Sequence, residues 1–226
     1  PTANELFNNS AAVMLGDYMF AHAADLIAQT DNTKVVRLFA RTIMAIAGGE
    51  LHQDMSAYEY SADTLKYFGR IEGKTASLFA TSAEGGAMVA LSTGAEREAL
   101  RTYGLNVGMA FQVVDDILDF AGEESEMGKP IGSDLMQGTL TLPSLILMER
   151  SPKDNPIKKA FRYRKPKTEL VAEAVYIVLN SDILEESYRV ARDFRDRALT
   201  ALRELPPNEA RSSLEDIAEY VLERRA

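Results

Sequence analysis

The sequence predicts an all-α fold. Apolar residues recur at spacings of three and four along most of the chain. Runs that alternate apolar with polar residues, the mark of half-buried strands, are almost absent. Glycine and proline fall mainly where one helical pattern stops and the next begins. A bundle of about ten packed helices around a central cavity, read as one domain over residues 1–226, accommodates this pattern.

The elements follow in order. Residues 9–29 are rich in Ala, Leu and Met and read as a helix. Residues 33–57 form a second, with Val36, Phe39, Ala40, Ile43 and Ala47 at helical spacing and Gly48-Gly49 as a loosening point. A shorter helix covers 62–72. Gly73 reads as a break, after which a helix runs from Thr75 to Leu91, with Gly94 as its stop signal. The longest helix spans Glu96 to Ala121 and is closed by Gly122. A polar loop, Glu123 to Ser133, carries Gly128, Pro130 and Gly132. Helix resumes over Leu140 to Arg150, with Pro143 in its first turn, where proline is tolerated. The basic, proline-punctuated stretch 151–167 is a loop with a short helix. Helices at 168–179, 182–204 and 208–225 close the chain, split by Asn180-Ser181 and Pro206-Pro207.

Composition narrows the function. There is no cysteine, which excludes disulfides and cysteine metal sites and makes a cytoplasmic location the simplest expectation. The net charge is −9, the reverse of the usual nucleic-acid binder. No apolar run approaches the roughly 20 residues that span a bilayer, so no transmembrane segment is expected. Pro1-Thr2-Ala3-Asn4 does not read as the start of a signal peptide.

Chemistry concentrates on the longest helix. In Phe111-Gln112-Val113-Val114-Asp115-Asp116-Ile117-Leu118-Asp119, Asp115 and Asp119 are four residues apart and share a helical face. Like charges at that spacing destabilise a helix by a few tenths of a kcal/mol. They also lie far from the N-terminus, so the helix dipole does not offset them. Two readings stand at this point: a solvated acidic patch, or a site for a hard divalent cation, magnesium typically using one or two carboxylates plus substrate phosphates. Lys74 and Thr75, after Gly73, fit an anion site at a helix start, or equally a plain N-cap beside a solvated lysine. Lys129, in the loop after the aspartates, fits a second cation over the same mouth or an ordinary surface lysine.

The same residues carry a family resemblance. The sequence resembles the trans-isoprenyl diphosphate synthases, most closely those that make long polyprenyl chains. The matches run in order: Pro1 to Asn4, Gly16-Asp17, Gly49-Glu50 with Gln53, Gly73 to Phe79, Gly108 to Asp119, Gly128-Lys129-Pro130-Ile131-Gly132-Ser133-Asp134-Leu135, Gly138, and Thr141-Leu142-Pro143. The resemblance implies the isoprenoid-synthase fold, a homodimer, and condensation of an allylic diphosphate with isopentenyl diphosphate. It implies that Asp115, Asp116 and Asp119 form the second aspartate-rich motif and hold Mg2+ on the allylic diphosphate. Lys74, Thr75, Gln112 and Lys129 match positions that contact that substrate, with Lys74, Asp115 and Asp116 in catalytic roles. His22 and His52 are left as structural. The family's first DDxxD motif and the arginines after it have no counterpart in residues 1–226, so the expectation is a longer protein that carries them, with further N-terminal helices, ahead of Pro1. Ala11, Ala12, Leu15, Met19 and Ala23, or Ala80, Ala83, Gly86, Ala87 and Ala90, either line a tunnel for the growing hydrocarbon or let helices pack closely. The rival readings are a terpene cyclase or squalene-synthase-like enzyme, a non-catalytic partner subunit of a heteromeric synthase, and a ligand-free helical scaffold.

Overall fold

A computed structural model describes residues 2–122, 130–162 and 166–224. Among these there is no strand, and the helices are α1 (Ala3–Leu6), α2 (Asn9–Ala28), α3 (Thr33–Met55), α4 (Thr64–Ile71), α5 (Ser77–Val89), α6 (Gly94–Ala121), α7 (Ser133–Met136), α8 (Leu142–Arg150), α9 (Pro156–Phe161), α10 (Thr168–Leu179), α11 (Ile183–Leu202) and α12 (Glu209–Glu223). Side-chain caps start many of them. Asn8 accepts from the Ala11 N–H, Asp63 from the Leu65 and Lys66 N–H groups, and Asn208 from the Arg211 N–H. At α6, Thr93 and Glu96 form a reciprocal capping box. Gly94 therefore begins α6 instead of stopping α5, because the helix is set by Thr93 and not by the glycine's freedom.

α6 is the central element and packs chiefly on α5 and α11, with the segment before α5 also against it. Val113, Val114, Ile117 and Phe120 are fully buried. Each such side chain contributes about 1.5–3 kcal/mol by burial, which exceeds the few tenths lost to carboxylate repulsion on the same helix. The hydrophobic pattern thus outweighs the charge pattern and carries the aspartates inward.

Gly73 does not break the chain into two helices. Glu72–Ala76 is a π-helical turn that joins α4 to α5 as one continuous rod. The Ser77 N–H reaches back to the Glu72 carbonyl, one residue further than in an α-helix. The expected anion site at a helix N-terminus is corrected accordingly: Lys74 and Thr75 sit mid-helix, in a bulge. Close contacts hold the bulge on both sides. A Cβ on Gly49 of α3 would stand 3.3 Å from the Lys74 nitrogen, and one on Gly108 of α6 would stand 2.5 Å from Ala76 Cα. At Gly104 the nearest atom would be the Phe79 carbonyl oxygen, at 2.4 Å. Ala80 and Ala87 are buried along this side of α5, while Gly86 and Ala90 are exposed. Ala80 and Ala87 thus pack against neighbouring helices, whereas nothing lies within 4 Å of a Cβ on Gly86.

α2 buries none of its residues and leaves Val13, Met14, Tyr18, Met19 and Phe20 exposed. By length and composition it is apolar enough to cross a membrane, so the expectation that no run reaches that length is corrected for Asn9–Ala28. Asp17 and Asp25 lie within it.

Candidate active site

A cavity of about 140 Å³ lies between α3, the π turn, α6 and the segment leading into α8. Its walls include Gln53, Arg70, Lys74, Gln112, Asp115, Asp116, Asp134, Thr139 and Thr141. The sequence-predicted residues Lys74, Gln112, Asp115 and Asp116 are thus brought together.

The three aspartates are not equivalent. Asp119 is 1% exposed, and its carboxylate accepts from the Ser133 hydroxyl at 2.7 Å and from the Asp134 N–H at 3.2 Å. The Gly132 N–H bonds the Asp119 carbonyl at 2.8 Å, so this residue anchors the start of α7 to α6. Gly132 makes the turn with φ +75°, where a Cβ would meet Val171 at 2.9 Å. Asp116 is 3% exposed and has a donor on each oxygen: the Tyr67 hydroxyl at 2.7 Å and the Gln112 amide at 2.9 Å. Asp115 is half-buried on the cavity wall and, among the described residues, receives only a long 3.5 Å contact from the same amide.

Gln112 is oriented in turn by Thr75, whose hydroxyl donates to its carbonyl oxygen at 2.7 Å. Thr75 stands behind Gln112 and is not among the residues that line the cavity. The π turn places Lys74 beside Glu50 at 3.1 Å and Gln53 at 3.3 Å, both from α3. Lys129 lies outside the described residues. His22 stacks on Tyr18 on exposed α2, and His52 lines an adjoining hollow of about 90 Å³ that shares Gln53, Arg70 and Thr139 with the cavity.

Sequence reasoning missed Tyr67 and Arg70. Arg70 donates to the Leu140 carbonyl, lies over the Tyr67 ring with its guanidinium carbon 5.6 Å from the centroid, and gives the cavity a fixed positive charge. The only signal is their place on α4, Tyr67 two turns and Arg70 one turn before Lys74. An aromatic and an arginine at helical spacing look like a core residue and a surface one.

Among the described residues, no three Asp, Glu or His side chains converge as a ligand group. Two half-buried carboxylates on the wall, Asp115 and Asp134, beside two cations fit a magnesium ion shared with a phosphate better than one caged by protein alone. The residues therefore fit the cation the sequence implied, with Asp115 foremost.

A family model described as polyprenyl synthetase matches residues 1–178. The chain belongs to the polyprenyl synthetase family. Heptaprenyl diphosphate synthase component 2 of Geobacillus stearothermophilus is 37% identical, across 99% of this chain and 69% of its own length. Chloroplastic solanesyl diphosphate synthase 1 of Arabidopsis thaliana is 35% identical over 99% of this chain, which spans only 54% of that protein. Among solved structures, the polyprenyl synthase of Caulobacter crescentus, complexed with calcium and isoprenyl diphosphate, superposes with a TM-score of 0.92 at 35% identity, covering 99% of this chain and 69% of that one. As in other members of the polyprenyl synthetase family, then, the architecture is all-helical.

Burial raises the Asp116 pKa to about 7, although the Tyr67 and Gln112 hydrogen bonds pull it down. The same burial, and then the charge of Asp116, pushes the Tyr67 phenol well above its usual range. Because the folded pKa of Asp116, about 7, exceeds the roughly 3.9 of an unfolded chain, the native state holds an extra proton between them. Stability in metal-free buffer should fall as pH rises through that window, by on the order of a few kcal/mol. Asp116→Asn should flatten the decline in denaturant titrations at pH 4.5 and 7.5; an unchanged slope would exclude Asp116 as its source.

Proposed function

We propose that the protein is a trans-polyprenyl diphosphate synthase. It joins an allylic prenyl diphosphate to isopentenyl diphosphate, giving a longer polyprenyl diphosphate. The observation that carries this reading is a cavity in which the half-buried carboxylate of Asp115 shares the wall with Lys74 and Arg70, on the fold of this family. The Caulobacter relative, complexed with a divalent cation and an isoprenyl diphosphate, supports the ligand class.

In this mechanism Asp115 is the direct ligand of Mg2+. Asp116, with both oxygens bonded to protein, and Asp119, bonded to α7, hold the helix surface on which Asp115 stands. The bound cation supplies neutralisation of the charge that grows on the leaving diphosphate. Lys74, steadied by Glu50 and Gln53, and Arg70 add fixed positive charge that need not reorganise as the bond breaks. Gln112, fixed by Thr75, positions the diphosphate. The allylic C–O bond breaks, and the double bond of isopentenyl diphosphate forms the new C–C bond. The proton then lost leaves with the departing diphosphate, so no histidine is required.

Asp115→Ala in the full-length protein should lower turnover by orders of magnitude with helicity unchanged, read by radiolabelled isopentenyl diphosphate incorporation and circular dichroism. Wild-type turnover would remove the metal role.

The working form in this proposal is a homodimer, supported by the exposed apolar side chains of α2. Light scattering of the full-length protein should give twice the mass of one chain, and Phe20→Glu should shift it toward one. A single-chain mass in the wild type would contradict the dimer.

A further inference from the structure

Tyr58 stands outside the cavity, yet the chain holds it in an uncommon conformation. It follows the end of α3 with φ +66°. That is the left-handed region, which glycine ordinarily fills where a helix stops, because a Cβ crowds the backbone there. Asp31 and Leu91 share the conformation, but their N–H groups bond within their own turns, to the Ala28 and Met88 carbonyls. The Tyr58 N–H instead crosses to a distant part of the chain, donating to the Gly138 carbonyl at 2.9 Å. Its hydroxyl donates to the Met136 carbonyl at 3.0 Å. Its ring meets Phe161 edge-on, with centroids 5.8 Å apart. The fit is close from the other side too: Gly138 has φ +81°, and a Cβ there would stand 2.6 Å from the Tyr58 ring.

A strained backbone persists only where its surroundings over-determine it, and such residues gather where function needs a fixed geometry. The turn that Tyr58 grips is part of the cavity's frame. Asp134 before it and Thr139 after it both line the cavity. The Thr139 N–H donates to the Asp134 carbonyl at 2.8 Å, which closes the turn. At the next residue, the Leu140 carbonyl accepts from Arg70. That bond holds the guanidinium at the cavity wall, so the position of the turn decides where the charge of Arg70 stands.

We propose that Tyr58 is a positioning residue: by fixing the turn 136–138, it sets the Leu140 carbonyl that aims Arg70 at the diphosphate. This rests on the diphosphate reading of the site.

Tyr58→Gly separates this role from simple packing. Glycine takes the left-handed backbone freely and keeps the N–H bond to Gly138, while the ring and hydroxyl are lost. Relief of the strain offsets the lost ring contacts, so the ligand-free Tm of the full-length protein should stay within a few degrees of the wild type. Binding of inorganic pyrophosphate with Mg2+, read by calorimetry, should weaken about tenfold. Tyr58→Phe keeps ring and backbone, and should weaken binding about threefold at an unchanged Tm. Both losses should disappear in an Arg70→Ala background, because residues that act through one another are not additive. A Gly variant that binds pyrophosphate as the wild type does, or a loss of the same size in the Arg70→Ala background, overturns the assignment. If the Gly variant does not fold, the Phe variant decides by the same two criteria. If the wild type takes pyrophosphate and the Tyr58 variants match it, only the role of Tyr58 fails. If the wild type takes none, the diphosphate reading fails and this inference with it.

Discussion

A helix that carries three carboxylates into a protein interior must find a partner for each, because an unpaired buried charge costs far more than any single packing contact returns. α6 meets this demand in three ways. Asp119 is answered by α7, through the Ser133 hydroxyl and the Asp134 N–H. Asp116 is answered by α4 through Tyr67 and by its own helix through Gln112. Asp115, on the cavity wall, has only a long contact to Gln112 among the described residues. The surrounding elements sit where these hydrogen bonds put them, and the unequal satisfaction of three identical side chains is what makes one of them chemically available.

Close backbone approach makes this possible. Gly104 and Gly108 let α6 press against α5 and the π turn, and Gly49 lets α3 do so from the other side. The π turn then rotates Lys74 toward Glu50 and Gln53 and the cavity. Arg70, one turn earlier, adds its charge from α4. An acidic chain thereby concentrates cations at the one place where a polyanion would bind, which reconciles a net charge of −9 with a diphosphate ligand.

Much of this is legible in the sequence. The helical periods and the Thr93-x-x-Glu96 capping pattern mark elements that form on local grounds. The aspartate helix is legible too, because its apolar neighbours announce burial. Gly73 misleads, since a glycine within a helical pattern signals a break as readily as a bulge; only the packing of Gly49 and Gly108 against the turn decides. Spacing alone makes Asp115, Asp116 and Asp119 equals, and their separation into one open and two engaged groups depends on Tyr67 and Ser133, contacts 49 and 14 residues away.

The proposed mechanism requires Asp115 to be the aspartate that meets the metal. Anomalous scattering from crystals of the full-length protein grown with Mn2+ and pyrophosphate tests this directly. A peak about 2.1 Å from an Asp115 oxygen, with Asp119 still on Ser133, is the result expected. A peak bonded to Asp119 with the Ser133 contact broken, or none beside Asp115, would contradict it.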